Sequence, residues 1–273
     1  MISSFKHPAA LLLVAFAFAG CEQVIELELD ENQTLPVFSF RYNASAGQVI
    51  GTVSESVDFY SPTAPSLETS AAVEFIAPDG AVTAISPLPD SLYLGNVDGA
   101  FNTGDTVGLR VVRAGQEYTA FNAIPDSLPI DSVQVREFEG FPFGPPADSL
   151  EGPQYEIYLY FPPTAESRNV FVEFLVDGEL QGDILQGLKT TPGELTEIPL
   201  GWSQRLFNPE EVVQVWAWTV SDDTYDYWLA LSSIAGAFGP AGVPGNPPNH
   251  WSGDALGHFF VGRLATSQAI LPE

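Results

Sequence analysis

Four side chains that could carry out hydrolytic chemistry lie close together near the C-terminus: His250, Ser252, Asp254 and His258. A serine hydrolase needs a serine, a histidine and a carboxylate within hydrogen-bonding reach, together with donors for an oxyanion. Here the four residues fall within nine positions and lack the Gly-x-Ser-x-Gly turn that exposes a nucleophile. Because neighbouring side chains of an extended segment point apart, the sequence favours a structural loop over a catalytic site.

Metal binding has little support in the residue types. One cysteine and three histidines, of which His7 lies in the N-terminal leader, argue against a structural zinc site. Calcium prefers clustered oxygen ligands, and a glycine-rich stretch supplies four candidates: Asn96, Asp98, Asn102 and Asp105. Their spacing differs from that of a calcium loop, and the terminal glutamate is missing. We therefore predict a turn-rich loop, with no metal and no other cofactor.

An apolar run near the N-terminus indicates export. Eleven apolar residues, from Ala9 to Ala19, follow Lys6 and precede Gly20 and Cys21. A helix of this length rises only about 16 Å, too little for a membrane core of about 30 Å, so residues 1–20 are predicted to be a signal peptide. The small pair before Cys21 resembles the lipobox of bacterial lipoproteins, which implies cleavage before this cysteine and its acylation. No second cysteine is present to form an internal disulfide.

The charge balance excludes one class of partner. Thirty-five acidic and nine basic residues give a net charge of −26. A field of this sign repels phosphate backbones and anionic lipid headgroups, which excludes nucleic-acid binding and basic-patch membrane docking. Attachment to the outer membrane would rest on acyl chains at Cys21. Glu22 and the acidic residues that follow it resemble signals that send lipoproteins of Bacteroidota-type bacteria to the cell surface.

The rest of the chain is predicted to be mainly β, with two β-sandwich (Ig-like) domains. Period-2 alternation predicts about seven strands in residues 21–125, the N-terminal β-sandwich domain. Prolines at 125 and 129 mark the boundary, and strands resume in residues 126–273, the C-terminal β-rich domain. There, Asp177-Gly178 predicts a hairpin. One short helix is predicted near residues 222–235, because Ser221 can cap it and two aspartates follow.

Aromatic residues indicate where a partner could bind. Two loops rich in Gly and Pro, residues 139–153 and 236–253, are predicted to contact a receptor or a ligand, either carbohydrate or peptide, through Phe141, Phe143, Phe238 and Trp251. Trp216 and Trp218 alternate on a predicted strand and so share one face. If exposed they could stack on sugar rings, but burial beneath the predicted helix is favoured.

A repeated tripeptide indicates candidate modification sites. Asp followed by Ser or Thr and then an aliphatic residue occurs five times. The pattern resembles the O-glycosylation acceptor of exported proteins in Bacteroidota, and it is also ordinary turn chemistry. The candidate acceptors are Ser91, Thr106, Ser127, Ser132 and Ser149.

The order of these features resembles one family. CEQVIELEL follows the lipobox, GQEYTAFNAIP ends the first sandwich, and the second region carries SDDTYDYWLALSS and NPPNHWSGDALGHFFV. The series is similar to the lipoproteins of domain of unknown function 4249, which occur in Bacteroidota and are often encoded beside TonB-dependent outer-membrane receptors. His258 stands where that family commonly has an aromatic residue such as tyrosine. The resemblance implies a location and a partner but no reaction.

Together these inferences predict a lipid-anchored lipoprotein of the outer membrane, at the cell surface. It is expected to act without catalysis as an accessory or ligand-binding partner of a TonB-dependent receptor in nutrient uptake. The alternative is a structural or adhesive cell-surface protein with no transport role. A hydrolase that uses the tail cluster is the least favoured reading of the sequence.

Overall fold

The structure, a computed structural model, describes residues 34–57, 64–139, 152–200, 206–234 and 247–272. Its first half contains eight strands: β1 (Pro36–Asn43), β2 (Gln48–Glu55), β3 (Leu67–Glu68), β4 (Ala72–Ile76), β5 (Val82–Pro87), β6 (Leu92–Asn96), β7 (Thr106–Arg113) and β8 (Gln116–Ala123). The second half contains seven strands and one helix: β9 (Ser132–Glu137), β10 (Tyr155–Phe161), β11 (Asn169–Val176), β12 (Glu179–Lys189), β13 (Thr196–Pro199), β14 (Val212–Val220), α1 (Asp222–Ile234) and β15 (Leu256–Ile270).

Alternation of side chains sets the two faces of each strand. In β1, Phe38, Phe40 and Tyr42 are buried, whereas Ser39 and Arg41 point to the other face. The predicted hairpin between β11 and β12 turns at Asp177 and Gly178, which both have positive φ (50° and 85°). This is the conformation that a two-residue turn between twisted strands requires.

Two sheets form the fold. The larger has the strand order β12-β11-β14-β15-β1-β2-β6-β5-β4-β7-β8, with β3 paired to β2, and the smaller has the order β13-β10-β9. One apolar core is built largely from strands of the first half, and a second lies between the small sheet and the strands β11 and β14. The prediction of a mainly β chain with sandwich architecture and one helix is confirmed for the described residues.

The strand β15 links the two halves of the large sheet. The first part of β15 pairs in parallel with β1, from Leu256 to Gly262, and the remainder pairs antiparallel with β14 as far as Ile270. Phe259 and Val261 are buried in the first core, while Leu271, just beyond the strand, is buried in the second. The first half of the chain therefore completes its core with residues from the C-terminal end.

Arg263 of β15 also holds the segment where the two halves meet. Its Nε donates a hydrogen bond to the carbonyl of Pro125, and its Nη2 donates to the carbonyl of Phe101, each at 2.9 Å. Arg168 forms an ion pair with Asp126, one residue further along. The proline-marked segment is thus fixed by two arginine side chains, both from the second half of the chain.

The helix α1 begins where the sequence predicts. Ser221 Oγ accepts a hydrogen bond from the amide of Thr224 at 3.3 Å, and aspartates 222 and 223 occupy the first turn. Tyr225 packs on Phe171 of β11 with ring centroids 5.5 Å apart. The helix therefore covers part of the outer face of the large sheet. Of the described residues, none belong to a helix long and apolar enough to cross a membrane.

Candidate functional site

Trp251 closes one end of the first core. The side chain of Asn249 folds the loop back: its Oδ1 accepts from the amide of Trp251, and its Nδ2 donates to the carbonyl of Trp251, both at 2.9 Å. The Trp251 ring is 4% exposed, and its Nε1 donates to the carbonyl of Phe38 at 3.1 Å. We correct the expectation of partner contact at Trp251, because its ring lies in the core and not on a surface.

Ser252 forms hydrogen bonds with the open edge of β8. Its amide donates to the carbonyl of Thr119 at 2.8 Å, and its Oγ accepts from the amide of Thr119 at 2.8 Å. The Thr119 hydroxyl donates a second hydrogen bond to the same Oγ, at 3.1 Å. These bonds satisfy backbone groups of an edge strand that would otherwise face solvent. The hydroxyl of Ser252 is therefore engaged in structure.

The two histidines form part of a column of stacked rings. His258 lies between His250, at 4.2 Å between centroids, and Tyr227 of α1, at 4.4 Å. His258 Nε2 is 3.0 Å from Thr224 Oγ1, and His250 Nδ1 accepts from the amide of Phe259 at 3.3 Å. The column joins the tail loop and β15 to α1.

Burial keeps both imidazoles neutral. His258 is 5% exposed, and its desolvation, with a smaller contribution from His250, lowers its pKa to about 3. Desolvation also lowers the pKa of His250, opposed by the nearby carboxylate of Asp223. Within the described part of the chain, neither ring is hydrogen-bonded to Ser252, so these side chains do not form the serine–histidine pair that a hydrolase needs.

A strut of charged and aromatic groups crosses the outer face of the large sheet. Arg41 of β1 reaches over β15 and β14 to Glu173 of β11, with Nη1 and Oε2 3.1 Å apart. The guanidinium lies 4.8 Å from the ring centroid of Trp218 and 4.9 Å from that of Phe260. Trp218 Nε1 donates to the same carboxylate at 2.7 Å. Four strands are thereby joined by one network.

An open surface lies beside this strut. Trp216 of β14 is directly opposite Thr266 of β15, and Gln214 is opposite Gln268 on one side and Leu175 on the other. Directly paired residues share a face, so these five side chains form one patch, which we call the Trp216 face. Thr266 and Gln268 are exposed, and the other three are partly exposed. Burial was favoured for both tryptophans; it holds for Trp218, whereas Trp216 remains partly open to solvent.

The small sheet carries a polar cluster that the sequence did not indicate. Arg136 lies 4.0 Å from the ring centroid of Tyr158, and the hydroxyl of Tyr160 donates to Glu197 at 2.5 Å. This hydrogen bond, helped by Arg136, lowers the pKa of Glu197. Arg136 also contacts Tyr160 and Glu197 directly. The only signal in the sequence was alternation on β10, which predicts a shared face but not these partners.

The asparagine- and aspartate-rich loop forms a turn. Asp105 Oδ2 accepts from the amide of Asn102 at 2.7 Å, and the amide of Asp105 donates to the carbonyl of Asn102 at 3.2 Å. These are local turn contacts of the kind that the residue types favour. In the described ranges, no three or more His, Cys, Asp or Glu side chains are grouped so that they could hold a metal ion.

The remaining predicted sites are in different surroundings. Among the candidate acceptors for O-glycosylation, Thr106 and Ser127 are exposed, while Ser91 and Ser132 are partly exposed. Ser91 lies at a turn with φ of 61°. Five predicted residues lie outside the described residues: Cys21, Phe141, Phe143, Ser149 and Phe238.

Comparisons with known proteins give little further information. No family model matches the sequence, and no curated protein matches it. The chain is similar at 12% identity, with a TM-score of 0.21, to a solved structure from work on how a 1.5-MDa bacterial ice-binding adhesin is retained on the host cell surface. The match covers 88% of this chain and 65% of that chain, so this protein spans less than two thirds of the neighbour's length. A likeness of this size carries no argument about activity or partners.

Proposed function

We propose that the protein is a lipid-anchored lipoprotein of the outer-membrane surface, which binds a ligand without catalysis and assists a TonB-dependent receptor in nutrient uptake. The observation that carries the binding role is the Trp216 face, where an indole ring is partly exposed on the sheet beside amide and hydroxyl side chains. Tryptophan side chains are enriched at interfaces, because the ring offers a large apolar surface with one polar group.

The contacts of the tail cluster support a structural role for Ser252 and the two histidines. Its serine hydroxyl is bonded to Thr119, and its two histidines are stacked on each other and on Tyr227. Each of these contacts joins one structural element to another. A nucleophile would need a neighbouring base and freedom to reach a substrate, and Ser252 has neither arrangement.

The proposed anchor explains how modest affinity would suffice. Residues 22–35 lie between Cys21 and the first strand, and a chain of this length spans at most about 50 Å. A protein tethered over this distance remains close to a receptor in the same membrane. Its effective concentration at the receptor is then far above its average concentration in the cell.

Lipid labelling and affinity capture test this proposal together. Cells producing the full chain or its Cys21→Ala variant are fed an alkyne analogue of palmitate, and Gln23→Ala serves as the matched control. We expect label and membrane retention for the wild type and the control, and loss of both for Cys21→Ala. Mild detergent extraction followed by capture should recover a TonB-dependent receptor.

Two results would contradict the proposal. Unlabelled wild-type protein in the culture medium would show that the chain is not lipid-anchored. Recovery of cell-surface or matrix components in place of a receptor would favour the adhesive alternative.

A further inference from the structure

We propose that the Trp216 face binds a neutral carbohydrate chain, with the indole stacked on a sugar ring and the amides of Gln214 and Gln268 bonded to its hydroxyl groups. The inference rests on the binding function proposed above, and it names the ligand class and the place where the ligand binds.

The pairing of β14 with β15 sets the layout of this face. Trp216 and Gln214 are two residues apart on one strand, and Thr266 and Gln268 are their direct partners on the next. Residues two apart on a strand are separated by about 6.8 Å, and neighbouring strands by about 4.8 Å. The amide pair therefore lies about one sugar unit from the indole ring, where it can reach hydroxyl groups while the ring stacks.

The backbone of β14 cannot accept an added peptide strand. Extended peptides bind sheets by adding a strand to an open edge, where backbone donors and acceptors are available. β14 is paired along its length with β11 on one side and β15 on the other. The strand that carries Trp216 and Gln214 therefore has no open edge of its own, so these two side chains suit a ligand recognised by stacking and by side-chain hydrogen bonds.

Charge narrows the class of carbohydrate. Gln214, Trp216, Thr266, Gln268 and Leu175 carry no charge, and the nearby carboxylate of Glu173 is paired with Arg41. The whole chain has a net charge of −26, which repels sulfated and uronic-acid polymers. A lipid surface would strip water from the two amides without replacing their hydrogen bonds. A neutral polymer rich in hydroxyl groups is not repelled by the charge of the protein, and its hydroxyl groups can replace the hydrogen bonds that the amides lose with water.

The strut beside the face holds it in place. Glu173 is directly opposite Trp216 on β11, and its side chain is only 11% exposed because Arg41 and Trp218 bind it. The strand that carries the indole is thus fixed by Trp218, which lies two residues further along on the same face. A site that is already ordered loses little conformational entropy when a ligand binds.

Affinity electrophoresis of the full mature chain tests the inference. The probes are dextran, laminarin and galactomannan as neutral polysaccharides, with polygalacturonate as the acidic comparison. We expect at least one neutral polysaccharide to retard the wild type, and polygalacturonate not to. Trp216→Ala should weaken the binding about tenfold or more, since an aromatic stacking contact is lost.

Three further variants make the result specific. Gln268→Ala, at an exposed position, tests the same face without disturbing the core, and it should also weaken binding. Trp216→Phe should keep most of the affinity but lose the ligand-induced change in tryptophan fluorescence. Phe121→Ala removes an aromatic ring that is 52% exposed on β8, outside the face, and should bind as the wild type does.

Retardation by none of the neutral polysaccharides would overturn the inference, as would equal retardation of the wild type, Trp216→Ala and Gln268→Ala. Lipid labelling and receptor capture do not depend on the Trp216 face. The failure of the carbohydrate site and the failure of the proposed function are therefore separate results.

Discussion

Arg41 and Glu173 are 132 residues apart in the sequence, yet their side chains meet at 3.1 Å across the outer face of the large sheet. Three strand-to-strand steps separate β1 from β11, and the arginine crosses them over the rings of Trp218 and Phe260. The pair therefore ties the first half of the chain to the second.

Replacing Glu173 by alanine should lower the free energy of unfolding. The guanidinium of Arg41 and the Nε1 hydrogen of Trp218 would both lose their acceptor, at a cost of about 1–3 kcal/mol. Urea unfolding followed by circular dichroism measures the change. Glu194→Gln, at an exposed turn, is the control and should stay within about 0.5 kcal/mol of the wild type. Strictly additive effects of Arg41→Met and Glu173→Ala in a double-mutant cycle would refute the coupling.

Gly257→Ala should weaken the pairing of β15 with β1. Gly257 has φ of +99°, and a Cβ atom there would lie 2.2 Å from the carbonyl oxygen of Phe38. Gly193 is a matched control, because it has φ of +76° but a Cβ atom would meet no other atom within 4 Å. Both variants carry the backbone strain of about 1–3 kcal/mol, so the additional loss in Gly257→Ala reports the clash alone. Equal melting temperatures for the two variants would show that β15 can shift to accommodate the added methyl group without loss of stability.

Trp251→Ala should be among the most damaging substitutions in the tail loop. It empties a buried site beside Phe38 and Phe40, and large-to-small changes of this kind cost about 3–5 kcal/mol. The amide of Thr119, which donates to Ser252, should exchange with deuterium faster once the loop is released. Leu195→Ala, at a side chain that is 54% exposed, provides the comparison. A small effect of Trp251→Ala on unfolding would mean that the ring is not needed to close the core.

Stability should fall on acidification because of His258. The unfolded chain binds a proton at this residue below its ordinary pKa of 6.5, whereas the folded chain does so only near 3. Between these values the unfolded state holds more protons, so lowering the pH favours unfolding. From pH 7 to pH 5 the contribution of this one group is about 2 kcal/mol.

His258→Phe keeps an aromatic ring in the stack and removes the titration. The variant should therefore lose about 2 kcal/mol less than the wild type over the same pH interval, as measured by urea unfolding at each pH. Carboxylates titrate in both proteins, and their effect cancels in the comparison. An unchanged pH dependence would mean that His258 can be protonated in the folded state.

Local patterns in the sequence were sufficient for the elements but not for their long-range partners. The hairpin at Asp177-Gly178 and the start of α1 at Ser221 depend on a few neighbouring residues, and both lie where the sequence predicts them. The parallel pairing of β15 with β1 joins residues more than 200 positions apart, and alternation within either strand does not specify it.

For the aromatic residues too, local patterns predict the face on which a side chain lies, and long-range contacts decide whether it is buried. Alternation predicts that Trp216 and Trp218 share a face, but α1 and the Arg41 strut decide which of the two is covered. Trp251 lies in a segment whose glycine and proline content is typical of a surface loop. Its burial depends on the side chain of Asn249, which turns the loop inward, and on the rings of Phe38 and Phe40, against which the indole packs.

Since β15 follows every other described strand in the chain, neither core can be completed before residues 256–270 have been synthesised. A chain that crosses a membrane N-terminus first would then reach the far side before its two apolar cores can form. For the export proposed above, late closure of this kind would keep both halves of the chain unfolded during passage. It also means that a truncation removing only the final fifteen or so residues would disable both halves of the molecule.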